Sequence, residues 1–133
     1  MRRHAEQLVH RTRSVRGPVF DFSGQWQNEL GSQMVLKIGG DGTVSGQYRS
    51  AVSGAGGQTP WMPLSGATGA DLISFTVNWD DVAITSWVGH GVNGDDGPEI
   101  LTLWQMVQSV PDIEDPEVQW KAVMAGADNF VRP

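Results

Sequence analysis

The chain has 133 residues, 39% hydrophobic and 18% charged, the make-up of a single globular domain large enough to bury a core. Its net charge of −6 is uneven: residues 1–19 carry +4 and the remainder −10, and so acidic a body argues against a nucleic-acid surface. There is no cysteine, hence no disulfide and no thiol nucleophile; His4, His10 and His90 do not sit at metal-ligand spacing, and no apolar run would span a bilayer.

Residues 1–19 read as a basic extension, flexible or loosely helical, built around Arg2, Arg3, Arg11, Arg13 and Arg16. As written, the segment lacks the apolar stretch of an export signal. From Phe20 to the C-terminus the chain reads as one domain of short strands without an internal repeat. The strands are expected at 24–30, 33–39, 43–50, 61–67, 72–79, 82–90, 99–109 and 118–126. Glycine-, aspartate- and proline-rich turns separate them, among them Gly40-Asp41-Gly42, "SGAGGQTP", Asp80-Asp81 and "GVNGDDGP". One helical turn is expected within "DPEVQWKAVM", and Pro63 removes a ladder donor from the fourth strand. Evenly spaced strands with tight links predict an all-β fold, an up-and-down antiparallel barrel or a sandwich.

Period-two alternation sorts the side chains into faces. In the first strand Phe22, Gly24, Trp26, Asn28 and Leu30 share one face, and Gln25, Gln27 and Glu29 the other. Val44, Gly46, Tyr48 and Ser50 point the same way in the third; Ile73, Phe75, Val77 and Trp79 do so in the fifth. Ala83, Thr85 and Trp87 follow in the sixth, and Ile100, Thr102, Trp104 and Met106 in the seventh. An inner face that keeps pairing an aromatic ring with a hydroxyl or amide is a poor design for packing alone, because each buried polar group needs a partner. Two readings of Asn28, Ser32, Tyr48 and Ser50 stand at this point: a cavity whose ligand satisfies them, or a cluster closed on itself around buried water. The opposite faces of the sixth and seventh strands are apolar too, with Val82, Ile84, Val88, Leu101, Leu103 and Val107, which suggests burial against another subunit.

Six segments, "GQWQNELGS", "GQYRSAV", "FTVNW", "TSW", "LTLWQM" and "WKAVMAGADNF", resemble in order and spacing the signatures of the avidin/streptavidin family. The resemblance covers nearly everything from Ser23 to Phe130. It implies an eight-stranded up-and-down barrel that binds biotin and biotinylated molecules in its mouth without catalysis, cofactor, metal, membrane or nucleic acid. It further implies a homotetramer, with a dimer as the alternative, and a secreted or periplasmic location. By the same resemblance Asn28, Ser32 and Tyr48 would donate to the ureido oxygen, while Ser50 and Asp128 would accept from the ureido N–H groups. Thr85 would meet the thioether sulfur. Trp79, Trp87, Trp104 and Met106 would box the apolar parts, and Val52, Ser53 and Gly54 would close over the tail. Trp120 would reach in from a neighbouring subunit. Ala83 stands where many relatives place a serine, and Asp80 and Asp81 fall near the mouth.

A carbohydrate-binding module using tryptophan platforms is the alternative, but four of the six tryptophans lie on the inner parity rather than in an exposed row. A glycosidase needs two carboxylates across a cleft, whereas every acid of the strand region except Asp128 falls in a turn or on an outer face. A lipid carrier would have no use for Asn28, Tyr48, Ser50 and Asp128 together.

Overall fold

The computed structural model describes residues 15–52, 56–111 and 122–133. Alternation is realised as eight strands: β1 Gly24–Asn28, β2 Gln33–Ile38, β3 Thr43–Arg49, β4 Met62–Gly69, β5 Leu72–Trp79, β6 Ala83–Gly94, β7 Gly97–Gln108 and β8 Val123–Val131. Each pairs antiparallel with the next, and β8 returns to β1 to close the barrel. The all-β, eight-stranded up-and-down barrel expected from the sequence is the fold. Among the described residues there is no helix.

The turns follow from local chemistry. Between β2 and β3, Asp41 Oδ1 accepts from the Thr43 amide and hydroxyl at 3.1 and 2.7 Å, and Gly42 takes φ +85°, which costs a glycine little. Pro63 lies opposite Gln47, second in β4, close enough to the strand start for the missing N–H to be tolerated.

Phe22, Trp26, Met34, Leu36, Phe75, Val77, Ile100 and Phe130 fill the barrel interior and are all but inaccessible. One end is stoppered. Phe20 packs 4.7 Å from Phe22 and 6.0 Å from Trp26, and its amide bonds Ala70 O at 3.2 Å. The β1–β8 seam is short, with only two residue pairs, Gln27–Val131 and Asn28–Phe130. Arg132 braces it: Nη1 donates to Ser23 O at 2.7 Å and Gln25 O at 3.1 Å, while the guanidinium lies 3.8 Å over the Trp26 ring. The β1–β2 and β5–β6 turns lie at the other end, around the mouth, where β3 and β7 also end.

Three expectations are corrected. The last strand runs Val123–Val131, not 118–126, because its pairing with Glu99–Val107 sets the register. The stretch "GVNGDDGP" is mostly strand, since β6 and β7 extend through Gly94 and from Gly97 to leave only Asp95-Asp96 as the tip. Leu30 is 66% exposed, because β1 ends at Asn28 and the parity lapses in the following turn. The helical turn sought in "DPEVQWKAVM" falls largely outside the described residues; Val123 and Met124, its described end, are strand.

Candidate functional site

The open end holds a cavity of about 760 Å³. Its wall brings together Asn28, Ser32, Tyr48, Ser50, Val52, Trp79, Thr85, Trp87, Trp104, Met106 and Asp128, contributed by six of the eight strands and the connections that follow them. Ser53, Gly54 and Trp120 lie outside the described residues.

The floor is polar and dry. Asn28, Ser32, Tyr48, Thr85, Trp87 and Asp128 are all at most 9% exposed. Asn28 Oδ1 accepts from the backbone amides of Leu30 and Ser32 at 3.1 and 2.9 Å. The amide is thereby oriented with its NH₂ away from the turn and toward Asp128. Ser32 Oγ accepts from the Ala51 amide at 2.9 Å. Trp87 Nε1 donates to Asp128 Oδ2 at 2.9 Å, and Thr102 Oγ1 donates to the Asp128 carbonyl at the same distance. Burial and the nearby Asp128 charge push the Tyr48 phenol well above its ordinary range, so it stays a donor. Burial also raises the Asp128 carboxyl, against hydrogen bonds from Trp87 and Asn28 that favour its charged form, and Glu29 adds to the lift.

The walls are aromatic. Trp87 stacks on Phe75 at 5.0 Å and lies 4.7 Å from Tyr48, while Trp79 meets Tyr48 edge-on at 6.0 Å. Trp79 Nε1 donates to Thr85 Oγ1 at 3.0 Å, which turns the indole and leaves the threonine hydroxyl its own proton to donate. Trp104 packs closely against β8 at Gly126, which has no side chain; a Cβ there would sit 2.5 Å from the ring. Toward the rim, the Ser50 hydroxyl donates to Val52 O at 2.7 Å, and Ser50 also bonds Thr59 through both backbone groups.

Sequence reasoning missed several wall residues. Gln108 continues the parity of Thr102, Trp104 and Met106, so alternation carried one step further would have found it. Thr59 and Pro60 lie in a loop with no periodic signal. The polar duty of the Trp87 N–H, which holds Asp128, was hidden behind the expectation of an apolar wall. No group of His, Cys, Asp and Glu among the described residues is arranged to hold a metal ion.

Chemically, such a cavity takes a compact polar head with both acceptors and donors, followed by an apolar body. A hole closed around one water would need only about 30 Å³ of space, far less than this one has. The cavity falls within the roughly 300–1,000 Å³ of small-molecule sites.

Comparisons with known proteins agree with this geometry. The sequence profile of the Avidin family matches residues 18–133. Afifavidin from Afifella pfennigii is 36% identical over 89 residues, 63% of this chain and 56% of that protein. Avidin from Gallus gallus is 32% identical over 120 residues, 84% of this chain and 77% of that protein. A crystal structure of a rhizavidin–biotin complex superposes with TM-score 0.68 at 29% identity, covering 81% of this chain and 96% of that one. With its profile matched across the whole barrel and its topology shared, the chain belongs to the avidin family.

Proposed function

We propose that residues 20–133 form a non-catalytic biotin-binding barrel, with residues 1–19 an extension to it. The ureido ring lies deepest and the carboxylate nearest solvent. The observation that carries this reading is the buried set of Asn28, Ser32, Tyr48 and Asp128 facing an aromatic-walled cavity open at one end. Asn28, Ser32 and Tyr48 converge as donors on the ureido oxygen, stabilising its partial negative charge as an oxyanion hole would, but with no reaction following. Ser50 and Asp128 accept from the ring N–H groups. Ser50 has already spent its own proton on Val52 O and accepts from the Val52 amide at 3.3 Å, which leaves one lone pair for the ligand. Thr85 meets the thioether sulfur, and Trp79, Trp87, Trp104 and Met106 enclose the ring and chain. Val52, with Ser53 and Gly54, closes over the tail, and Trp120 covers the site of a neighbouring copy. The biotin complex of rhizavidin supports the choice of ligand. Secretion, and assembly as a homotetramer with a dimer as the runner-up, belong to the same proposal.

Calorimetry combined with intrinsic fluorescence tests it. Biotin should bind exothermically at one site per chain and change the emission, because three tryptophans line the cavity. No heat with biotin, alongside heat with an oligosaccharide, would instead favour the carbohydrate-binding module.

A further inference from the structure

Beyond the head-group contacts, the rim carries information about the ligand's tail. Asp80 lines the cavity mouth, and no lysine, arginine or histidine is among the described lining residues. The turn that presents it is tightly built. Asp80 and Asp81 both take left-handed backbone, φ 52° and 65°, and the Val82 amide closes onto Trp79 O at 3.0 Å. Asn78 and Asp81 are bonded reciprocally, Asn78 Nδ2 to Asp81 Oδ1 at 3.0 Å and the Asp81 amide to Asn78 Oδ1 at 2.8 Å. Asp81 is therefore used within the turn. Asp80, by contrast, is exposed and takes no hydrogen bond among the described residues. Ala83, next on the wall, offers no side-chain donor. Among the described lining residues the side-chain donors left to a tail at this rim are neutral, Thr59 and Gln108, and they face an exposed carboxylate whose backbone the turn fixes.

Resting on the biotin reading, we propose that Asp80 makes the mouth a reader of tail charge. It favours biotin in amide linkage to an amine-bearing group over biotin with its free carboxylate. A free carboxylate enters beside a like charge; an ammonium a few atoms beyond the amide finds its counter-ion. The site is wet, so the effect is modest. Exposed pairs of this kind correspond to about a two- to fivefold change in affinity, lost as salt is added.

Three ligands with one head test this on the full chain by competition titration: biotin, biotin primary amide, and biotin coupled to ethylenediamine. At low ionic strength the cationic conjugate should bind about two- to fivefold tighter than biotin, with the neutral amide between them. In Asp80→Asn the ratio of cationic to anionic affinity should fall toward unity, as it should for the wild type in added salt. Asparagine tolerates left-handed backbone well, so the turn survives the change. Asp96→Asn makes the same charge change at the β6–β7 tip, at the stoppered end, and should leave the ratio where it is. A wild-type ratio of one or below, a ratio unmoved in Asp80→Asn, or an equal fall in Asp96→Asn would each overturn the proposal. Failure of all three ligands to bind would instead overturn the biotin reading on which it rests.

Discussion

Asp128 shows the conflict between stability and binding at the scale of one residue. Burial raises its carboxyl above the ordinary value of 3.8, more than the hydrogen bonds from Trp87 and Asn28 restore, and Glu29 adds to the rise. The native state thus holds this proton more tightly than the unfolded chain does. The group's contribution to stability is greatest at low pH and declines as pH climbs from the ordinary carboxyl value through the raised one. At neutral pH, above the ordinary value, burial of this carboxyl therefore costs the ligand-free barrel stability. Asp128→Asn should raise its melting temperature there, and the gain should shrink as the pH is lowered into the carboxyl range. Thermal scans of both proteins across that range check the sign. The same change should weaken biotin binding, because it removes the charge-assisted acceptor, typically a loss of about 1.5–3 kcal/mol. Thr85→Ala should lose less, since a hydroxyl–sulfur contact is weaker; an equal or larger loss at Thr85 would place Asp128 outside the site.

At the scale of elements, β8 depends on its neighbour. Gly126 gives Trp104 the room to lie against the strand, so Gly126→Ala must move an indole that forms one wall of the cavity. Overpacking of this kind costs about 1–3 kcal/mol. The change should lower the melting temperature, weaken biotin and alter tryptophan emission together, whereas Gly69→Ala, with open space around it, should leave biotin affinity unchanged. The same strand marks where the sequence stopped being readable. Period two placed Trp26, Tyr48, Phe75 and Trp87 inside correctly because large inner residues alternate with mostly polar outer ones there. In "VMAGADNFV" the first three residues are all exposed and only Asp128 and Phe130 are buried, so alternation has little to act on. Its register comes from β7, a long-range pairing that no local pattern encodes. Alternation could not have placed Asp128 in the cavity, because the strand expected from sequence ended two residues before it. The family resemblance supplied it.

At the scale of the whole molecule, the described residues leave an apolar face uncovered. Across β6, β7 and β8 the outward residues align in two rows, Val88 beside Leu103, and Ile84 beside Val107 and Val123. Their exposures run from 37% at Val123 to 70% at Leu103. A monomer seldom leaves two such apolar rows in water, with only Ser86, Gln105 and Ala125 between them, and a second copy presenting the same face is the occupant that closed symmetry favours. On the proposed function, assembly and binding are one property, because Trp120 of one copy covers the ligand of another. Leu103 lies in the middle strand of the face and points away from the cavity, so Leu103→Glu introduces a charge where the copies would meet without touching the site. Light scattering should show an oligomer for the wild type and a smaller species for Leu103→Glu. Trp120→Ala should release biotin faster and lower the melting temperature of the liganded oligomer, since a buried interfacial tryptophan often contributes about 2 kcal/mol or more. Leu103→Glu should speed release in the same sense, because it takes the neighbour's tryptophan away with the neighbour. If the wild type is a monomer, or if Trp120→Ala releases biotin at the wild-type rate, each barrel holds its ligand alone, and the apolar face serves some purpose other than completing the site.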